Sequence, residues 1–531
     1  MSKPYVNKVI SAAEAVAKIP DGAFIGLGGV NASGVALEVI DAIVRSFNET
    51  GKPRNLGLIH SGGNAGTRQF SPEGLLGSYY GGFANIPDVI NKNTIPAYSL
   101  TQGVCNQLFR AQASDIPCLS KAGLHTYLDP RQLGGALNDK AKENPVVSLV
   151  EIDGEEYLHF KLPPITVAVI RGTTADTTGN LIDDEEQIKH EILPLAMAAH
   201  NNGGIVIAQV KNLVEYKTLN AAEIKVPGML VDYIVLCSDP AEWHIQNMTK
   251  KYHPGLDGFH RVDGSMIPLG SWIPKDDKLI MARRGLSELW PGCVANVGMG
   301  ASAGVAFISP LEGVEDMYYM SIELGAVGGI IGGGPWWSTA FNASANMLHQ
   351  DMFDFINGHG LDVTFLSAAE IGEDGSVNVT RFAGRANGSG GFVNIASSTK
   401  KVVFMSTHTQ GGKATAENGR LKIIEEGKPI KFVREVEEIS FNGQASMAKG
   451  QEVMYITERA VFKLIDGKLT LTEYAEGLDI EKDIIAYMAF RPEVAPDAKP
   501  MPAYCFTAET IGIKAQWETI IAQREQRKQN T

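Results

Sequence analysis

The chain has 531 residues, a formal net charge of −13, 44% apolar residues and 20% charged residues. That length suggests about two to four domains, and the composition is that of a globular protein with a large core. The acidic balance argues against a nucleic-acid-binding surface, yet leaves room for a small basic pocket around a phosphorylated ligand. The five cysteines (Cys105, Cys118, Cys237, Cys293, Cys505) are widely spaced and form no Cys-x-x-Cys pair. Free thiols in a reducing compartment are therefore expected, with no metal site.

Residues 1–22 lack the apolar core of a signal peptide. They read as an amphipathic helix, with apolar residues near helical spacing from Val9 to Ile19. A cytoplasmic protein is expected. Apolar runs of strand length then alternate with helical patterns: "AFIGLGG" (23–29), "NLGLIHSGG" (55–63), "ITVAVIRG" (165–172), "GGIVIAQV" (203–210), "DYIVLCS" (232–238), "LDVTFLSA" (361–368) and "KKVVFMST" (400–407). Continuous apolar strands separated by helices predict an α/β architecture with buried, largely parallel sheets.

Residues 243–280 are polar, with Gly and Pro and little periodicity, and read as a connection. His244, His253 and His260 within it lack metal-ligand spacing and are expected on a surface. The sequences flanking this stretch resemble each other. "DGAFIGLGGVNASGVALEVI" (21–40) parallels "PGCVANVGMGASAGVAFI" (291–308), and "AVIRGTTADTTGNLID" (168–183) parallels "TFLSAAEIGEDGSVNV" (364–379). The prediction is two homologous open α/β domains: an N-terminal half 1–245, a linker 246–280 and a C-terminal half 281–531. Halves packed face to face would leave a cleft, a common ligand site. Near the C-terminus, alternation over 418–436 and 455–480 and the Asp466-Gly467 pair predict hairpins. Residues 515–531 read as a polar terminal helix.

Two glycine-rich stretches suggest backbone chemistry. "GLGGVNASG" fails the G-x-G-x-x-G fingerprint, because Asn31 stands where the third glycine belongs; the second copy has Ala303 there. Gly28 and Gly29 either let a helix pack closely on a strand or turn their amides toward a ligand oxygen. "GRANGSGGFVNIA" (384–396) places Gly388, Gly390 and Gly391 in a turn. Such a turn can be a simple loop or can hold a developing oxyanion.

Glu323, in "SIELGAVGG", is the only formally charged residue between Asp316 and Asp351. Either it ends a strand in solvent or an ion pair, or it is a nucleophile presented on a glycine-lined turn. A nucleophilic carboxylate must stay ionised, so amide neighbours are expected. The uncharged stretch 324–341 is long enough to raise the question of a membrane span. Its six glycines and one proline argue against one.

"SIELGAVGG" resembles the Ser-x-Glu-x-Gly glutamate motif of family I coenzyme A transferases. "DGAFIGLGGVNASGVAL" is similar to their N-terminal signature and "GSGGF" to their glycine loop. "TYLDPRQLGGALND" (126–139), "FDFINGHGLDVTFLSAAE" (353–370), "YITERAVF" (455–462) and "LDIEKDI" (478–484) resemble the acetate and propionate CoA-transferase branch. The resemblance spans almost the whole chain and implies the α/β fold of that family in both halves. The chain departs from the pattern at Val30 and Ala36, at "GGF" (81–83) and at "PWW" (335–337), where Trp336 and Trp337 fall near the expected acyl pocket.

The resemblance implies a ping-pong transfer of CoA between a short-chain acyl-CoA and a carboxylic acid, acetate or propionate. Glu323 would carry an acyl anhydride and then a CoA thioester. Gly390 and Gly391 would be oxyanion donors, with Gln102 as a possible side-chain donor, otherwise a loop cap. Gly388, Asn342 and Asn346 would contact CoA, the two asparagines bonding its pantetheine amides or capping a helix beginning near Asn342. Lys413, beside a Gly pair, would meet a CoA phosphate. No cofactor beyond CoA as substrate and no nucleic-acid or membrane partner is implied, and a homodimer or homotetramer is expected. Two competing functions stay open: an acyl-CoA hydrolase using the same glutamate, and a non-catalytic ligand-sensing module.

Overall fold

The computed structural model describes residues 6–249, 252–382, 384–428, 430–507 and 510–529. The chain divides into two compact units. The first comprises Met1–Phe259, Met347–Asp354 and Ala383–Asn394; the second comprises His260–Asn346, Phe355–Phe382 and Ile395–Thr531.

The sheet of the first unit is built from β1 (Phe24–Leu27), β2 (Leu56–His60), β3 (Leu76–Gly81), β4 (Ala97–Ser99), β5 (Val167–Asp176), β6 (Ile205–Val214) and β7 (Tyr233–Leu236). The spatial order is β7-β6-β5-β1-β2-β3-β4, and every neighbouring pair is parallel. β1, β2 and β5 are buried along their whole length. That explains why residues 24–27, 56–59 and 167–170 read as apolar runs and not as alternating ones. Ile25, Leu27, Leu58, Val167, Val169 and Ile207 pack with Val39, Ile40 and Ile43 of the Leu37–Thr50 helix in one core.

The N-terminal helix is shorter than its sequence pattern suggests, Ala12–Val16. Ser11 and Glu14 form a capping box at its start. Val9 instead forms a backbone bridge with Ile234 of β7, at the sheet edge.

The second unit contains β8 (Val294–Val297), β9 (Tyr319–Ser321), β10 (Ala326–Val327), β11 (Ala345–Asn346), β12 (Val363–Ser367), β13 (Lys401–Met405), β14 (Glu452–Ile456), β15 (Ala460–Ile465), β16 (Lys468–Tyr474) and β17 (Glu493–Pro500). Their order is β11-β10-β9-β8-β12-β13-β14-β15-β16-β17. The inner path β13-β12-β8-β9 is parallel throughout, as is β6-β5-β1-β2 in the first unit. The glycine loops match as well. Gly28 donates its N–H to Val169 O (3.0 Å), and Gly298 donates to Phe365 O (2.7 Å). The internal repeat is therefore a repeat of α/β topology, as its sequence predicts.

The Asp466-Gly467 pair joins antiparallel β15 and β16, both residues having positive φ (49° and 78°). Strands Lys413–Glu417 and Arg420–Glu425 form a second hairpin. The terminal helix runs Ile513–Gln529; the last two residues of its predicted range lie outside the described residues. Among the described residues no helix is long and apolar enough to cross a membrane. Residues 324–341 form short strands and a 3-10 turn.

Residues 243–280 hold short 3-10 turns and the start of the Asp276–Leu286 helix. The surface expectation for His244 does not hold: it is buried, with Nε2 3.1 Å from Glu186 Oε1.

Candidate active site

Parallel strands bring their following loops to one edge of a sheet, and ligands of α/β proteins gather there. In the second unit β8 leads into Gly298–Gly300 and its neighbour β9 leads directly into Glu323. The Ser-x-Glu-x-Gly spacing has a local physical meaning. Ser321 ends β9, its Oγ donating to Ala295 O (2.9 Å) while its carbonyl accepts from Asn296 Nδ2 (3.1 Å). A β-turn follows, closed by Gly325 N–H to Ile322 O (2.9 Å), and Ile322 N–H then bonds Ala326 O (2.9 Å). Gly325 has φ 115°, which a side chain would strain. Glu323 is thus held half-buried on the turn, with buried Ile322 and Leu324 on either side.

The aromatic residues downstream form their own cluster. Trp336 meets Phe341 edge-on (5.7 Å between ring centroids), and Phe341 packs on Trp272 (5.7 Å). A pocket of about 450 Å³ lies beside the second glycine loop. Trp272, Lys275, Lys278, Gly300, Ala301 and Phe307 line it, together with Asp276 and Asp277.

The equivalent loop edge of the first unit collects Gly28 and Gly29 after β1, Ser61 after β2, Gly82 after β3 and Gln102 after β4. Gln102 is the first residue of the Gln102–Ala113 helix and is buried (3% exposed), so it is not the loop cap allowed for it. Its backbone N–H donates to Gly390 O (2.8 Å). Its side-chain Nε2 lies 2.7 Å from His349 Nε2.

Thr101, just before it, has φ 55° and ψ 151°, a conformation that β-branched residues avoid. Its Oγ1 is fixed by Gly390 O (2.6 Å) and Asn394 Oδ1 (2.9 Å); Gly103 N–H bonds the same Asn394 oxygen (3.1 Å). Backbone strain held in this way gathers where geometry matters for function.

The "GSGGF" turn is pinned from the other side. Ser389 Oγ, Tyr127 OH and Ser99 Oγ form a hydroxyl chain with spacings of 2.8 and 2.9 Å. Gly388 bridges to Phe83. Gly390 does not fit its predicted role as an amide donor, because its N–H is already bonded to Gly82 O (2.7 Å). Gly391 immediately precedes the Phe392–Ser398 helix, where first-turn amides lack intrahelical acceptors.

Gly28 likewise uses its N–H on Val169, while the carbonyls of Gly28 and Gly29 accept from Asn64 Nδ2 (3.1 and 3.3 Å). Asn342 bonds the backbone of Val262 through both amide atoms (2.9 Å each). The helix predicted to begin near Asn342 starts at His349, so neither Asn342 nor Asn346 caps it. Asn346 ends the two-residue strand β11. Lys413 is exposed and paired with Glu425 across its hairpin (2.7 Å).

Behind Gln102 lies a cluster that local sequence did not reveal. Glu191 Oε2 is 2.6 Å from His349 Nδ1, and Ser61 Oγ donates to Glu191 Oε1 (2.8 Å). Burial alone would raise the Glu191 pKa. Electrostatic attraction to His349, the His349 hydrogen bond and the nearby His190 outweigh it and hold the carboxyl well below its ordinary value. His190, Glu191 and His349 have their candidate donor atoms within 4.8 Å of one another, the donor types of a metal site. The 2.6 Å spacing is that of a hydrogen bond; two ligands of one tetrahedral zinc would stand about 3.3 Å apart.

The sequence profile described as "Coenzyme A transferase" matches residues 9–236. The chain is 38% identical to the caffeate CoA-transferase of Acetobacterium woodii, over 95% of this chain and 98% of the relative. It is 37% identical to the acetate CoA-transferase YdiF of Escherichia coli O157:H7, over 95% and 96%. The crystal structure of that Escherichia coli acyl-CoA transferase, described as a thioester complex with CoA, superposes with a TM-score of 0.88 at 35% identity, covering 95% of this chain and 97% of the other. The chain belongs to the coenzyme A transferase family and is a CoA-transferase.

Proposed function

We propose that the enzyme moves CoA between a short-chain acyl-CoA and a carboxylic acid, acetate or propionate, through a thioester on Glu323. The observation that carries the reading is the fixed turn presenting Glu323 at the carboxyl end of β9. The Glu323 carboxylate attacks the acyl-CoA carbonyl, the C–S bond breaks, and CoA leaves as thiolate from an acyl-glutamyl anhydride. The thiolate then attacks the glutamyl carbonyl, releases the carboxylic acid as its anion and leaves a glutamyl-CoA thioester. An acceptor carboxylate runs the two steps in reverse. Both intermediates are activated acyl groups, so the activation is conserved at every step.

Each attack creates an oxyanion. Gln102 Nε2 and the Gly391 amide are the proposed donors, and one such donor contributes about 3–4 kcal/mol in a known case. CoA is handled as substrate, and no further cofactor takes part. A homodimer or homotetramer in the cytoplasm completes the proposal.

The test incubates the protein with acetyl-CoA, traps the adduct with hydroxylamine or borohydride, and maps the modified peptide by mass spectrometry. The label is expected on Glu323. Thiol release without any acceptor acid would support hydrolysis instead. A second reading concerns the acid: one relative is named for caffeate and another for acetate. Rates for C2–C6 acids, lactate, acetoacetate and caffeate separate the two, and the proposal expects acetate or propionate to lead.

A further inference from the structure

A complete chain of hydrogen bonds runs behind Gln102, and the transfer scheme above makes no use of it. Ser61 Oγ donates to Glu191, Glu191 faces His349 Nδ1 at 2.6 Å, and His349 Nε2 faces Gln102 Nε2 at 2.7 Å. Ser61, Glu191 and His349 have no exposed surface. A buried carboxylate is costly where an apolar side chain would merely fill space.

The chemistry of this chain has a direction. An ionised carboxylate only accepts, so His349 must carry hydrogen on Nδ1. Gln102 Nε2, 2.7 Å away, can only donate, so His349 Nε2 is the acceptor of that contact. The Gln102 amide thus turns its NH2, not its carbonyl, toward His349. That leaves the second N–H of Nε2 in a fixed direction. A glutamine without such a partner flips between presenting N–H and presenting a carbonyl oxygen, which repels an oxyanion. His190 also stands against the carboxylate, its Nδ1 3.8 Å away and its Nε2 on Ser33 Oγ (3.2 Å), and buried His60 and Cys105 lie near enough to feel its charge.

We propose that Glu191 is a positioning residue for CoA transfer: through His349 it fixes the orientation of the Gln102 amide, so that one N–H is kept as the oxyanion donor. This rests on the reading of Gln102 as an oxyanion donor. A carboxamide in place of the carboxylate can offer His349 either a donor or an acceptor, so Glu191→Gln removes the directional constraint while keeping the shape.

The experiment is a kinetic cycle of wild type, Gln102→Ala, Glu191→Gln and the double variant. The Glu191→Gln change is expected to lower kcat at least tenfold, short of the roughly 10²–10³-fold of losing a donor outright, with KM for acyl-CoA within about threefold. In the Gln102→Ala background the same change is expected to have no further effect. Multiplying effects would overturn the relay and leave the role of Gln102 standing. A fully active Gln102→Ala would overturn both assignments, while the Glu323 adduct, read by intact mass in the same samples, reports separately on the covalent mechanism. Should Glu191→Gln fail to fold, nitrogen-15 NMR of histidine-labelled wild type decides. His349, assigned by its loss in His349→Gln, is expected with a protonated Nδ1 and a bare Nε2. A proton on Nε2, with or without one on Nδ1, would overturn the proposal.

Discussion

Arg171 offers the sharpest test of how the first glycine loop is held. It lies in β5 with its side chain fully buried, and it meets Glu186 with two bonds, Nε to Oε1 at 3.0 Å and Nη2 to Oε2 at 2.6 Å. Its remaining donors reach the carbonyls of Ala32 (3.4 Å), Val35 (3.1 Å) and Ile245 (2.9 Å) and the Gln246 side chain (3.2 Å). One guanidinium thus ties the residues after Gly29 to the segment after His244. Arg171→Met keeps the bulk but leaves the Glu186 carboxylate buried beside His244 alone.

Breaking a buried pair from one side costs about 3–5 kcal/mol. For a unit of this size that corresponds to a fall in Tm of about 6–20 °C. Circular dichroism melts at pH 7.5 and matched protein concentration measure it. Burial alone would raise the Glu186 pKa, but the Arg171 charge and the His244 hydrogen bond hold it well below the ordinary glutamate value. The folded value is depressed, so the stabilisation is complete above the unfolded value of about 4.3 and is lost as pH falls through the folded value. The stability gap between wild type and Glu186→Gln is therefore expected to be constant from pH 8 to 5 and to close in acid. A Tm drop under about 2 °C for Arg171→Met, or a gap that widens in acid, would refute the reasoning.

Other expectations follow from the same geometry. Gly325→Ala places a side chain at φ 115°, costs about 1–3 kcal/mol, and is expected to lower kcat more than tenfold by displacing Glu323; steady-state kinetics beside a melt would check both. Asn394→Ala leaves the buried N–H of Gly103 and the Thr101 hydroxyl without their shared acceptor. A loss of about 1–3 kcal/mol in urea unfolding is expected, together with reduced kcat, because both groups flank Gln102. All five cysteines are buried and unpaired, and burial pushes Cys118, Cys237 and Cys505 up to about 12 and Cys293 up to about 11. Ellman's reagent should therefore titrate fewer than one thiol per native chain and all five in denaturant.

The architecture was legible because its signals are local. A strand buried on both faces needs an unbroken apolar run, and each of the seven runs contains a parallel strand. Asp466-Gly467 could be read as a hairpin because only such residues tolerate its backbone angles. The glutamate turn was legible for a similar reason, since Ser321 and Gly325 each do a local job.

What escaped the sequence is carried by contacts between distant residues. Ser61 meets Glu191 130 positions away, Glu191 meets His349 across 158, and His349 meets Gln102 across 247. Nothing in the period or composition of "IKHEILP" or "NMLHQDM" announces such partners. The same limit explains Gly390. A glycine turn signals available amides, but whether a carbonyl such as that of Gly82 has already taken the N–H depends on another loop. Buried His244 is a third case, since a polar linker composition says nothing of the Glu186 that it meets.

The central claim is that Glu323 carries CoA as a thioester. Intact-mass spectrometry of wild type and Glu323→Ala after brief exposure to acetyl-CoA tests it most directly. The account predicts a wild-type adduct with the mass of CoA less water, located at Glu323 on digestion, lost when acetate is added, and absent with activity in the variant. An unmodified wild-type chain that still transfers CoA, or a fully active Glu323→Ala, would contradict it.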